Sequence, residues 1–261
     1  MTTRHKLCGH ILMAAGLPVL LTSCANQPSS VANAYGEEIP RNAADAYAYL
    51  GRQYLFRDTF DLAEARLQHA IQLNPNLPAA HHDLAVVYTK IGKLDAADEE
   101  YRLALKLAPT DITILYNYAT LLYNQGRYAE AESPLQTLVA NPEADNRAQA
   151  YEALGLIALK ANDPDKAEKN FEQALSIAPG LPRTLLELTQ LSLNAGRLPL
   201  AQNYLQRYQE IARDTPEGLW LGVLLARAQK DDQQLSDYSR RLRIKFPDSS
   251  QAQQLHAERH N

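Results

Sequence analysis

Residues 78–111 read PAAHHDLAVVYTKIGKLDAADEEYRLALKLAPTD, and their repetition decides the fold. Pro75 and Pro109 stand 34 residues apart, and one frame precedes both. In the earlier copy it is Tyr47, Leu50, Gly51, Tyr54, Ala63, Leu67 and Ala70; in the later, His81, Leu84, Ala85, Tyr88, Ala97, Tyr101 and Ala104. A period of this length marks a stack of like units, and it outranks every other signal. Large residues at unit positions 4, 7 and 11 give one helix an apolar face. Small residues at positions 8, 20 and 27 let a second helix approach it closely.

The frame recurs along the chain. A third copy carries Leu115, Tyr118, Ala119, Leu122, Ala131 and Leu135, with Leu138 where alanine is expected, and is followed by two extra residues. The fourth reads Tyr151, Leu154, Gly155, Ala167, Phe171, Ala174 and Pro179; the fifth, Leu185, Leu188, Thr189, Ala201, Leu205 and Tyr208. A degenerate sixth runs through Trp220, Leu224 and Leu235 to Phe246. This pattern resembles the tetratricopeptide repeat. The resemblance implies an all-α solenoid, a right-handed superhelix of about six helix pairs over 43–247. Its units are 44–77, 78–111, 112–147, 148–181, 182–215 and 216–247, with 248–261 as a C-terminal tail. One helix pair cannot bury its own apolar face, so each unit depends on its neighbours and the weak sixth reads as a cap.

Local signals agree with these boundaries. Asn74–Pro75, Ala108–Pro109 and Ala178–Pro179 close second helices, because proline lacks the donor a helix needs. Asp111 is placed to cap the next helix. Gly92, Gly126 and Gly196 fall at the turn within a unit, where positive φ is cheap for glycine; Asp58 and Asn162 hold that position in units one and four at greater cost. The two-residue insert lengthens the loop around 141–146. No strand-like segment competes.

The chain opens MTTRHKLCGHILMAAGLPVLLTSCANQPSS, with Arg4 and Lys6 ahead of an apolar run that is too short to span a membrane comfortably. This is the layout of an export signal, residues 1–23. Leu21, Thr22, Ser23 and Cys24 resemble the lipobox of bacterial lipoproteins, which implies lipidation of Cys24 after cleavage. Residues 24–42, rich in Ser, Asn, Ala and Pro, read as a lipidated flexible tether. Ala25 after the lipidated residue resembles the outer-membrane sorting pattern, so the expected location is the periplasmic face of the outer membrane. Cleavage leaves 238 of the 261 residues, with 24 basic against 30 acidic groups, net −6. With Cys8 removed and Cys24 acylated, no disulfide is available, and packing alone must hold the fold. Hydrophobic residues make up 46% and charged residues 21%, which excludes a disordered chain and a multispanning membrane protein. No basic excess points to nucleic acid as a partner.

Catalytic signatures are missing from the sequence. It holds no phosphate-binding glycine loop, paired CxxC, HExxH or GxSxG. No cofactor, metal or small-molecule substrate is expected. His81 and His82 are adjacent and so point apart on a helix, with His81 read as a packed residue. The acidic run Asp98, Glu99 and Glu100 reads as a solvated face.

Binding is the function such a solenoid serves. First helices line its concave side, and unit positions 2, 5, 9, 12 and 13 point into the groove. These positions supply Arg52, Leu55 and Phe56; His82, Val86, Thr89 and Lys90; Tyr116, Thr120, Tyr123 and Asn124; Glu152, Leu156, Leu159 and Lys160; and Arg183, Leu186, Gln190, Leu193 and Asn194. An apolar lining with a few hydrogen-bonding groups suits a protein segment bearing hydrophobic anchors. Arg52, Lys90 and Asn117 are read as separate groups, unlike the paired Lys and Asn clamp of chaperone-binding relatives. Gly51, Ala63, Ala70, Ala97, Ala104, Ala131, Gly155, Ala167 and Ala174 are assigned to helix packing.

Five further stretches are informative: YATLLYNQG (118–126) with RYAEAE after it, ALGLIAL (153–159), YLQRY (204–208), LWLG (219–222) and FPDS (246–249). Together with LTSC they resemble the type IV pilus biogenesis lipoproteins PilF and PilW. That resemblance implies a pilotin, a lipid-anchored protein that helps the pilus secretin subunit reach the outer membrane and multimerise. It also favours the early units as the functional groove. Some members carry a cysteine in unit three and another in unit four; Tyr123 and Ile157 stand there, leaving that junction to packing. The alternatives are a generic repeat scaffold for envelope assembly or cell-wall enzymes and, from another class, a hydrolase.

Overall fold

A computed structural model describes residues 30–32, 38–40 and 42–258. The signal segment and Cys24 lie outside the described residues. Six helix pairs follow one another: α1 (Ala43–Phe56) and α2 (Phe60–Leu73), α3 (Pro78–Lys90) and α4 (Leu94–Leu107), α5 (Ile112–Asn124) and α6 (Tyr128–Ala140). Then come α7 (Arg147–Lys160) and α8 (Pro164–Ile177), α9 (Pro182–Asn194) and α10 (Leu198–Ile211), and α11 (Pro216–Gln229) and α12 (Asp232–Lys245). Each odd helix packs on the even helix after it, and each pair packs on the next. First helices also touch one another, α1 with α3, α3 with α5 and α9 with α11, which sets them side by side along one face. The result is an all-α tetratricopeptide-repeat solenoid.

The helix crossings follow the small residues. Ala63, Ala97, Ala131, Ala167 and Ala201, all at unit position 20, are each 0% exposed, so five units share one environment. Ala70, Ala104 and Ala174 are likewise sealed at position 27, and Leu138 fits there without exposure. Gly155 shows how tight the crossing is: a Cβ at this position would lie 2.5 Å from Cε1 of the buried Phe171. At the edge of the stack the logic lapses. Leu50 is 43% exposed while Leu84 and Leu188, its equivalents, are at 2% and 0%, because no unit precedes the first.

Every turn within a pair uses one device. Asp58, Gly92, Gly126, Asn162, Gly196 and Lys230 all have positive φ, from 53° to 78°. The following amide donates back across the helix end each time, as in Thr59 N to Tyr54 O, 2.9 Å, and Asp231 N to Ala226 O, 2.9 Å. That bond satisfies carbonyls the helix leaves orphaned. Lys230 is the member of this set that sequence reading does not pick out. Between pairs, the loop 141–146 has six residues against four in 74–77, 108–111 and 178–181, so the two-residue insert sits where the spacing places it. Asp111 caps α5, accepting from the amides of Thr113 and Ile114 at 2.9 and 3.0 Å.

Two expectations need correction. Residues 248–261 are not simply a tail: α13 (Ser250–Ala257) buries Ala252 and Leu255 against Leu219, Val223 and Leu242, closing the solenoid that the sixth pair leaves open. Its apolar stripe is only two residues wide, too short for periodicity to reveal. The stretch 24–42 is not wholly irregular either, since β1 (Ser30–Ala32) and β2 (Glu38–Pro40) pair antiparallel with Ser30 opposite Pro40. Three-residue strands in a Ser, Asn and Pro-rich context carry no readable alternation.

Candidate functional site: the concave groove

The inner face of first helices holds a chain of cavities. One of 510 Å³ spans α1, α3 and α5, lined by Arg52, Leu55, Phe56, His82, Val86 and Asn117 among others. The next, 210 Å³, lies between α5 and α7 and takes in Tyr116, Thr120, Tyr123, Asn124 and Leu156 together with Glu152 and Arg183. Thr89 and Lys90 line neither. Thr89 turns its hydroxyl to the Ala85 carbonyl at 2.8 Å, and Lys90 stands exposed near the end of α3. Phe56 is 75% exposed at the cavity edge, an apolar surface that the fold itself leaves uncovered.

The floor of the first cavity is a hydrogen-bonded line across three units. Arg52 Nε donates to Asp83 Oδ2 at 2.7 Å, His82 Nδ1 donates to Asp83 Oδ1 at 2.9 Å, and Asn117 Nδ2 donates to His82 Nε2 at 2.9 Å. This arrangement puts the His82 proton on Nδ1, because Nε2 must accept. Arg52 and Asn117 are therefore joined through Asp83 and His82, which corrects their reading as separate groups; Lys90 stays apart. Asp83, with its side chain 5% exposed, is the residue sequence reasoning missed. Asp83 and Asn117 both stand at unit position 6, one turn from positions 2 and 9, and that polar recurrence was the available signal.

His81 points the other way, as adjacent helix residues must. It is buried, with Nδ1 2.6 Å from Glu100 Oε2 and Nε2 2.9 Å from the Pro75 carbonyl. The bond to Glu100 raises its pKa above the ordinary imidazole value against the opposing effect of burial. Glu100 and Asp98 thus depart from the solvated-face reading. Asp98 lies 2.7 Å from Arg127 and 2.9 Å from Arg102, and accepts from the Tyr118 hydroxyl at 3.0 Å. Glu100 is recruited inside its own unit, α4 against α3, whereas the Asp98–Arg127 pair reaches the next unit and depends on how the units stack. Tyr123 packs edge-on against Tyr128, ring centres 5.2 Å apart, and Ile157 is buried, so both junction positions are filled by packing. Among the described residues no group of three or more His, Cys, Asp or Glu could hold a metal ion. What this surface offers chemically is apolar area with preset polar groups for a protein segment.

Comparison with known proteins fits this architecture. Models described as tetratricopeptide repeat match residues 78–111, 110–180 and 158–221. The type IV pilus assembly protein PilF of Pseudomonas aeruginosa is 31% identical over 259 residues, covering 99% of this chain and 100% of the relative. The chain belongs to the PilF/PilW family of tetratricopeptide-repeat proteins. A solved structure of the Pseudomonas aeruginosa PilF superposes with a TM-score of 0.73, covering 83% of this chain and 97% of the other at 31% identity. The crystal structure of PilW, described as a widely conserved type IV pilus biogenesis factor, gives 0.67 at 25% identity, covering 82% of this chain and 99% of the other.

Proposed function

We propose that this protein is a lipid-anchored scaffold of type IV pilus biogenesis. It acts as pilotin for the pilus secretin at the periplasmic face of the outer membrane. The observation that carries the reading is full-length likeness to PilF, from first residues to last, joined to an open groove with uncovered apolar side chains. The mechanism is binding rather than turnover. Apolar contacts at Leu55, Phe56 and Val86 supply affinity at ~25 cal/mol per Å² buried, and the fixed polar line sets the register of the bound segment. The acyl chains at Cys24 confine the captured subunit to a surface and raise its effective concentration there.

Two variants test the proposal. Cys24→Ala is expected to leave the protein folded but lost from outer-membrane fractions, with secretin multimers reduced. Phe56→Ser is expected to keep outer-membrane location and melting behaviour while weakening secretin co-purification about tenfold. A Cys24→Ala protein retained at the outer membrane would defeat the anchoring claim, and undiminished secretin capture by Phe56→Ser would remove the groove from it.

A further inference from the structure

Beyond α7 the groove opens into a third cavity of 520 Å³, walled by α9, α10, α11 and α13. Its apolar surface comes from Leu186, Trp220 and Leu221, and Glu187 and Glu217 add two carboxylates. Glu187 stands at unit position 6, like Asp83 and Asn117, but its situation is different. It is half-buried, and no hydrogen bond or ion pair reaches its carboxylate among the described residues. Asp83, by contrast, is paired twice.

Burial holds the Glu187 carboxyl above its ordinary pKa; Arg183 and Lys160 pull it down and Glu152 pushes it up. Arg183 is an exposed residue one turn earlier on α9 and makes no ion pair with it. In the first cavity the guanidinium of Arg52 is already spent on Asp83, as is Nδ1 of His82. Along the groove the charged lining residues are Asp83, Asp111, Glu152, Glu187 and Glu217 against Arg52 and Arg183, a clear acid excess. Trp220 also takes cations: the Arg227 guanidinium carbon lies 5.6 Å from its ring centre.

We propose that this cavity is a subsite for a lysine or arginine side chain of the bound segment. Glu187 supplies the counter-charge, and Trp220 is the wall along which the aliphatic stem lies. The inference rests on the groove being the binding surface and adds the chemistry of its occupant: a segment with apolar residues flanking a cation. A partner cation gives Glu187 the pairing the fold withholds, so binding also favours its ionised form.

The chain contains a single tryptophan, so its fluorescence reports this cavity directly. Full-length protein is titrated with Ac-Ala-Leu-Lys-Leu-Ala-NH2 and with the same peptide carrying norleucine or glutamate in place of lysine. The lysine peptide is expected to give a saturable change, with the norleucine peptide at least tenfold weaker and the glutamate peptide weaker still. Glu187→Gln should erase the lysine preference while helicity and melting stay the same. Lysine affinity should also rise with pH as the Glu187 carboxyl, held above its ordinary value by burial, ionises; the charged groups that act on it or share its cavity are Arg183, Glu152, Lys160 and Glu217. Equal or tighter binding of the norleucine peptide, or no saturable response to lysine, overturns the subsite without any variant having to fold. A lysine preference at Trp220 combined with failed secretin capture would leave the subsite standing and bring down the pilotin reading instead.

Discussion

Arg52 Nε lies 2.7 Å from Asp83 Oδ2, which ties the first helices of two successive units together across the floor of the groove. The Asp83 side chain is 5% exposed and that of Arg52 is 42% exposed, so the acid is the buried half of the pair. Removing the acid strands two donors, Arg52 and His82, whereas removing the base leaves Asp83 its bond to His82. The two deletions are therefore unequal.

Asp83→Ala is expected to lower stability by ~1 to 2 kcal/mol, and Arg52→Met by less than ~1 kcal/mol because its partner stays satisfied and the pair is partly hydrated. Urea midpoints of the two variants and their double mutant would show this order and a positive coupling. Equal costs would contradict the described network.

His81 gives a pH signature. Its folded pKa is raised, chiefly by the bond to Glu100, so the unfolded chain holds its imidazole proton less tightly than the folded one. The stabilisation is complete below the unfolded imidazole value and is lost as pH rises through the folded value. His81→Leu should therefore cost more at pH 5.5 than at pH 8.5, measured by denaturant unfolding across that range. A cost that grows with pH would reverse the assignment.

Close helix crossings make any added side-chain volume harmful, whether a ring or a single methyl group. Ala97→Phe forces a large ring into a sealed site and should destabilise by ~1 to 3 kcal/mol or more. Gly155→Ala, which in an exposed helix would gain ~1 kcal/mol, should instead lose stability because its Cβ meets the buried Phe171 ring. Thermal melts of both would decide, and a stabilised Gly155→Ala would refute the tight crossing.

Lys230 adopts φ of 60°, a conformation that five other units assign to Gly, Asp or Asn. Lys230→Gly should raise stability by roughly 0.5 kcal/mol, the relief of left-handed strain exceeding the extra entropy of the unfolded chain. An unchanged or lower urea midpoint would show that the turn is not strained by lysine.

The period, the small residues at positions 8, 20 and 27, the turn glycines and the lengthened loop at 141–146 were all legible in the residues alone. Each is a local rule repeated: a helix needs an apolar stripe, a close crossing needs a missing side chain, and a turn needs positive φ. Which first-helix positions face the two cavities was legible in part, since a helix face is fixed by its spacing, but Thr89 and Lys90 line neither. The omission of position 6 came from drawing that face too narrowly; it hid Asp83 and Glu187 and left Asn117 read as a separate group.

What only the tertiary structure decided is which charges meet. Arg52 finds Asp83, and His82 finds Asn117, across 31 and 35 residues respectively. Asp98 collects Arg127 from the next unit, while among the described residues no hydrogen bond or ion pair reaches the Glu187 carboxylate. These outcomes depend on the rotation of one helix pair on the next. That rotation is set by the sum of many packing contacts and by no single motif, so the repeat dictates the stack while the stack chooses the polar partners of its groove.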